Sequence, residues 1–359
     1  MAGMRVSLEF TPPRWSRPGS ERETIQATIA AIVEAERAGV DAAWASEDPD
    51  SWDAIAVLSA AAVQTERIGL TTGVVNPFYR HPALIAASFS TLDRISDGRA
   101  RLGFGRGQTE WYQRSLGIET GEPLKRLEEA ILLLRQWWRE PYIAASSGPL
   151  GVRDWTRGFG PLQAHLPIIL AAAGPKAVSL AGRLADGILF NELTSLDAMR
   201  SIIAEARSAA AGAGRDPDRL HFVAKPGLII TDDPRPVLER LKTRIAMINT
   251  LPGMGRLIET DGFDVPAILD AVRRAMRTDE VLARGGAFAD VRRVADLDAA
   301  RAAIPAELID RLAIVGPIEH ACRRIGQLHG IGVGEIVINR GDLARNGDSD
   351  TLIAVLKSC

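Results

Sequence analysis

Residues 68–105 read IGLTTGVVNPFYRHPALIAASFSTLDRISDGRARLGFG. An apolar, β-branched run at Ile68–Val75 is followed by a segment of helical spacing that opens at Pro82 and ends near Gly98. A second apolar run follows at Ala100–Gly105. Proline suits the first turn of a helix, and strand–helix–strand succession is the mark of a parallel sheet.

The same alternation extends in both directions. Upstream, a strand at Arg5–Phe10 leads into a helix with the stripe Ile25, Ile29, Ile32 and Val33, a capping box at Ser20 and Glu23, and a stop at Gly39. A strand at Ala42–Ser46 precedes a helix over Asp53–Gln64. Downstream come a helix over Pro123–Trp138 and a strand at Pro167–Ala171 running into a helix begun by Gly174 and Pro175. Gly187–Asn191 leads into a helix over Ser195–Ala211. A seventh strand falls within Phe222–Ile230 and an eighth at Glu335–Asn339, with a last helix to Leu356. Eight such units predict one closed (β/α)8 TIM barrel spanning residues 1–359, ahead of a doubly wound open sheet. Residues 139–166 and 251–305 exceed a simple unit, and both are expected as insertions on the C-terminal face, where long loops cover sites.

A hydrophobic share of 46% can fill so large a core, and a net charge of −2 carries no footprint for nucleic acid or an anionic membrane. No apolar run approaches the roughly 18 residues of a membrane span. The N-terminus lacks the pattern of a signal peptide. Cys322 and Cys359 are too few for a disulfide framework, so a reduced, cytoplasmic protein is expected.

In a barrel, residues just past the C-terminal ends of strands build the active site. After strand two stand Glu47, Asp48 and Asp50, with Trp52 close behind: carboxylates for acid/base work or a hard cation, or a turn capping the next helix. After strand three, Gly73 would let a flat ring approach the backbone. Asn76 follows it, and His81 before Pro82 suits a structural hydrogen bond. Ser96–Arg99, before strand four, should be structural. After strand four, Gly103-Phe104-Gly105-Arg106-Gly107-Gln108 is GxGxG rather than the GxGxxG of a dinucleotide fold. After strand five, Ala172, Ala173, Gly174, Pro175 and Lys176 expose amides at a helix N-terminus beside a lysine, a ready phosphate site. HxH, HExxH, Cys/His clusters, a Walker loop and GxSxG are all missing, so no metal is expected.

These motifs resemble a known family. Gly73–Pro82 is similar to the GVTNPYTRHP stretch of methylenetetrahydromethanopterin reductases, and Thr91–Gly107 to their TLDELSGGRAxLGIGxG. Pro167–Asn191 resembles their strand-five segment with its AAxGPK and ADG motifs, and Ile314–Glu319 their GTPEE helix start. The resemblance covers nearly the whole chain, and the long insertion is similar to that of the phthiodiolone ketoreductase branch. It implies a luciferase-like oxidoreductase, a homodimer in many relatives, with coenzyme F420 or, alternatively, FMN at the barrel mouth. It further implies a non-prolyl cis peptide at Gly73–Val74 behind the ring, Gly105, Arg106 and Gly107 beside it, and residues 172–176 on the tail phosphate. Relatives carry a histidine where this chain has Asp48, and sugar-phosphate dehydrogenases a glutamate where it has Gln108. Glucose-6-phosphate is therefore not the expected substrate.

The expected reaction is hydride transfer between F420 and a small or medium organic molecule. Glu47 or Asp48 would handle the proton, and Phe10, Trp52, Asn76, Gln108 and Trp111 would wall the substrate. The alternatives are an FMN-dependent monooxygenase using reduced flavin and O2, a non-catalytic cofactor-binding protein or inactive partner subunit, and a metal-dependent lyase built on Glu47, Asp48 and Asp50.

Overall fold

A computed structural model of the chain describes residues 3–12, 19–49, 51–250, 253–284, 286, 288–343 and 349–359. Asp50 lies outside the described residues, as does the side chain of Trp111. Eight parallel strands close a barrel: β1 (Arg5–Glu9), β2 (Ala42–Ala45), β3 (Gly69–Thr72), β4 (Ala100–Phe104), β5 (Ile168–Ala171), β6 (Gly187–Leu189), β7 (His221–Ala224) and β8 (Glu335–Asn339). Each pairs with its neighbours in sequence order, and β8 closes on β1 through the register Arg5↔Glu335 to Glu9↔Asn339.

The helices that matter for the mouth are α1 (Glu21–Arg37), α2 (Ala54–Ala62), α3 (Pro82–Ile95), α4 (Thr109–Leu116), α5 (Pro123–Trp137), α6 (Pro175–Leu184) and α7 (Leu196–Gly212). Asp53 caps α2 by accepting from the Ala56 N–H, and Ser195 caps α7 by accepting from Ala198 N–H. His81 has the structural role expected of it, its Nδ1 accepting from Ala83 N–H at the start of α3. The capping box expected on α1 does not form: Ser20, at φ −105° and ψ 11°, makes no capping bond. Ser96–Arg99 is structural, with the Arg99 guanidinium donating to the carbonyls of Ala62, Thr65, Ile68 and Ser96.

Side chains fill the barrel in layers. At the floor the wholly buried Glu335 accepts from Ser7, Trp44 Nε1 and both terminal nitrogens of Arg101, with His221 Nε2 also 2.8 Å away. Trp44, Ile169, Leu189, Val223 and Val337 form the layer above. Two carboxylate oxygens meeting this many donors make the ionised form of a buried acid tenable.

The structure corrects three expectations. The seventh strand leaves the barrel after Ala224, because Pro226 has no N–H for the ladder; Leu228–Ile230 pairs instead with Ile314–Gly316 outside it. The 139–166 insertion is not at the mouth. It joins the foot of α5 to the foot of β5 and lies along the outer faces of α3 and α5. There Trp137 Nε1 donates to Trp155 O, Arg157 to Ala83 O, and Arg94 to Gly160 O. Cys322 and Cys359, expected as free thiols, form a disulfide that ties the C-terminus to the helix Ile318–Gly330.

The second insertion contacts the loops after β5 and β6, Arg256 donating to Ala173 O and Arg244 pairing with Glu192. It begins at β7 and includes the helix Arg235–Ile248 before the expected start at 251. It has an apolar core of its own, with Leu241, Ile245, Leu269, Val272 and Leu308 among its buried members.

Candidate active site

Residues inside a strand alternate between core and barrel interior, so the last inward residue of each strand rings the mouth. On the β3–β5 side these residues are minimal: Gly73, Gly105 and Ala171. A Cβ added at Gly105 would stand 2.9 Å from Val74 Cγ2 and 3.3 Å from Ala171 Cβ. The wall is thus closely packed, with the Val74 and Ala171 side chains filling the space beside Gly105. The Gly73–Val74 peptide is cis, as the resemblance implied, and a Cβ at Gly73 would stand 3.1 Å from Trp44 Cε3 beneath.

This wall continues into the start of α6. Gly174 is the N-cap, Pro175 has no donor to lose, and a Cβ at Gly174 would meet nothing within 4 Å. The first-turn amides of Lys176 and Ala177 have no partner within the helix, and the Lys176 side chain is exposed beside them. Arg256, from the insertion, donates to Ala173 O at 3.2 Å and pairs with Glu205 at 2.6 Å. Nothing near residue 256 in sequence announces this second cation at the same corner.

The opposite side of the mouth is polar. Glu9 ends β1 and Lys225 follows β7, their Oε2 and Nζ 2.8 Å apart. Glu192, after β6, lies 4.0 Å from Lys225 and 2.8 Å from Arg244 of the insertion. Ser46 Oγ lies 2.6 Å from Glu9 Oε1 and 2.7 Å from Gly73 O. Thr11 Oγ1 also donates to Glu9 and accepts from Ser46 N–H. Burial alone would raise the Glu9 pKa, but the Lys225 ammonium and the two hydroxyls hold it below the ordinary carboxylate value. Burial alone would lower Lys225, yet Glu9 and Glu192 raise it.

Ser46 has one hydrogen for two acceptors. Both are served together when Glu9 is protonated, so that Glu9 donates to Oγ and Oγ donates to Gly73 O. The ionised carboxyl therefore has a hydroxyl already in place on either side should it take up a proton.

The expected acid Glu47 is committed elsewhere. Its Oε1 accepts from Arg80 Nε at 2.6 Å, and its Oε2 accepts from Arg80 at 2.9 Å and Ala54 N–H at 3.2 Å. Arg80 also holds Asp53 at 2.7 Å. Both oxygens of Glu47 are bound to Arg80, so the side chain serves as an ion-pair anchor, and its role as a proton-transfer group or metal ligand is withdrawn. Asp48 is half-buried; burial raises the phenol pKa values of Tyr79 and Tyr112, and the charge of Asp48 adds to both shifts.

Two substrate walls are also corrected. Phe10 is buried in the main core. Asn76 is 1% exposed, with Oδ1 accepting from Phe78 N–H and Nδ2 donating to Tyr112 Oη, so it props a ring rather than lining a cavity. Gly107 is needed for packing: its φ is +63° and a Cβ would lie 2.2 Å from Tyr112 Oη. Arg106 and Gln108 are exposed at the mouth, and Trp52 is half-buried just before α2.

The sequence model of the family described as luciferase-like monooxygenase matches residues 4–335. The chain belongs to this family. A 5,10-methylenetetrahydromethanopterin reductase of Archaeoglobus fulgidus is 29% identical over 84% of the chain and 86% of its own length. An F420-dependent glucose-6-phosphate dehydrogenase of Kineococcus radiotolerans is 31% identical over 58% of the chain and 66% of its own length. Among solved structures, the F420-dependent tetrahydromethanopterin reductase of Methanopyrus kandleri superposes with a TM-score of 0.73, covering 99% of this chain and 98% of its own, at 21% identity. For a luciferase-like protein, the small-residue wall and the open start of α6 are the residues that fit a ring with a phosphate tail.

Proposed function

We propose that the protein is an oxidoreductase that moves a hydride between coenzyme F420 and a small or medium organic substrate. The observation that carries this reading is the division of the mouth. A wall of Gly73, Val74, Gly105 and Ala171 runs into the open N-terminus of α6, and a proton-holding cluster faces it. The F420-dependent relatives favour the deazaflavin over FMN. The bound cofactor supplies the two-electron chemistry, and the protein supplies orientation and the proton.

The wall would hold the ring face, and residues 172–176 with Arg256 would hold the tail phosphate. Reduction of a ketone, imine or activated alkene needs one proton for each hydride. Glu9, ionised beside Lys225, is placed to accept that proton when the reaction runs toward oxidation of the substrate, with Ser46 relaying it from the Gly73 side. Asp48 keeps its place as a second proton group. Trp52 and Gln108 remain substrate walls. The insertion, which touches Glu192, Ala173 and, through Asp290, Arg114 of α4, excludes water from above.

The test is a side-by-side fluorescence titration of the protein with F420 and with FMN. Tight F420 binding and weak FMN binding are expected. The opposite preference moves the assignment to a monooxygenase using reduced flavin and O2, and binding of neither removes the function. Homodimer formation is proposed through the outer wall, where Leu84, Leu132, Trp155 and Phe159 are exposed. A cytoplasmic location is proposed from the sequence. Sedimentation velocity checks the first. Cell fractionation checks the second.

A further inference from the structure

Four charges from four separate elements form one chain at the mouth: Glu9, Lys225, Glu192 and Arg244, with successive contacts of 2.8, 4.0 and 2.8 Å. Three belong to the barrel and the fourth to the insertion. The charges sum to zero, and the middle contact is the long one. Lys225 therefore sits on Glu9 rather than midway between two acids, and Glu192 leaves it there because Arg244 already satisfies it.

We infer that Arg244 is a positioning residue for Glu9: by holding Glu192 it keeps the Lys225 ammonium on Glu9, and so sets the pH at which Glu9 takes up a proton. Without the guanidinium, Glu192 has Lys225 as its nearest cation, and closing the 4.0 Å gap takes a movement of about 1 Å, well within side-chain reach. Lys225 would then divide its hydrogen bonds between two carboxylates, and the chain would carry a net negative charge. Both effects favour protonation of Glu9. The remaining groups facing Glu9 are the hydroxyls of Ser46 after β2 and Thr11 after β1. Those facing Lys225 are Glu9, Glu192 and Arg244. The importance of Glu9 to the reaction rests on the function proposed above, whereas the charge chain does not.

The experiment follows the Glu9 carboxyl carbon by NMR in cofactor-free protein labelled with 13C-glutamate, using Glu9→Gln for assignment. F420 affinity is measured separately on the same samples. Arg244→Gln is expected to move the Glu9 titration up by about one pH unit. Arg244→Lys should return it most of the way. The double variant Arg244→Gln with Glu192→Gln should titrate near the wild type, because the competitor for Lys225 is gone. An unshifted Arg244→Gln, or a double variant that keeps the shift, overturns the inference. If Arg244→Gln fails to fold, Glu192→Gln alone decides: it should move Glu9 downward, and an upward shift overturns the inference as well. A protein that shows these shifts without binding F420 loses the proposed function and keeps the charge chain.

Discussion

Gly105→Ala tests the ring wall with one methyl group. The new Cβ would stand 2.9 Å from Val74 Cγ2 and 3.3 Å from Ala171 Cβ, against an ordinary contact of about 3.5–4.0 Å. Val74 is the side chain that can yield, since Ala171 is a strand residue with no rotamer to change. Yielding by several tenths of an ångström brings Val74 away from β4 and disturbs the packed surface. Overpacking of this kind costs about 1–3 kcal/mol of stability. At no more than about 2 °C per kcal/mol for a chain larger than 250 residues, Tm falls by a few degrees. A ring bound face-on to the same surface should lose at least tenfold in affinity, which is about 1.4 kcal/mol. The assay pairs a melting curve with an F420 fluorescence titration. Gly174→Ala serves as control: its Cβ meets nothing within 4 Å and its φ of −76° suits alanine, so Tm should hold. If Gly105→Ala binds F420 within twofold of the wild type, the wall formed by β3, β4 and β5 is not where the ring lies.

The remaining expectations concern the charged groups. Glu47→Gln should lower stability by about 1–3 kcal/mol, because Arg80 loses its main partner while keeping Asp53, and the melting curve should show it. A Tm unchanged by this substitution would mean that Glu47 is not the anchor its geometry implies. The Glu9–Lys225 pair sets opposite slopes at the two ends of the pH scale. Glu9 is held low in the folded state, so its contribution is present above the unfolded carboxylate value of 4.5 and fades as pH falls through the folded one. Lys225 is held high, so its contribution is present below 10.5 and fades only as pH rises through its folded value. Lys225→Met leaves Glu9 buried without a cation, and its folded pKa then rises above the unfolded one. The variant should be more stable at pH 5 than at pH 8 when urea midpoints are compared, while the wild type changes little. Parallel behaviour of the two proteins would contradict the pairing.

Most of the barrel was legible because each strand is a short apolar run and each helix carries its own stripe and start. The parts that were not legible have local physical causes. The end of β7 reads as continuous with Leu228–Ile230, since both are apolar; only Pro226 between them hints at the break. The 139–166 excursion is rich in glycine, proline and aromatic residues, which looks like a cover for a site. Its position was nevertheless fixed by topology, since it follows a helix and precedes a strand, and so returns to the foot of the barrel and not its mouth.

The candidate site divides the same way. The wall of small residues and the open start of α6 could be found in sequence because they depend on backbone, and glycine and alanine at strand ends announce backbone access. The proton cluster could not, because it depends on which charges meet after closure: Glu9 and Lys225 come together across β8, which pairs with both β1 and β7. A signal did exist. Glu9 ends the run VSLE and Lys225 follows the run FVA, each a charge set at the mouth end of an otherwise apolar strand. A charge there faces either solvent or the interior, and the alternation along the strand decides between them. Ser7 and Glu9 share a face with the Glu335 network, as do His221, Val223 and Lys225. Glu47, by contrast, lies beyond its strand, where alternation no longer constrains it, and its partner Arg80 is 33 residues away on another loop. An acid after a strand end thus carries less information than an acid at the last inward position of the strand. That distinction separates Glu9 from Glu47 here.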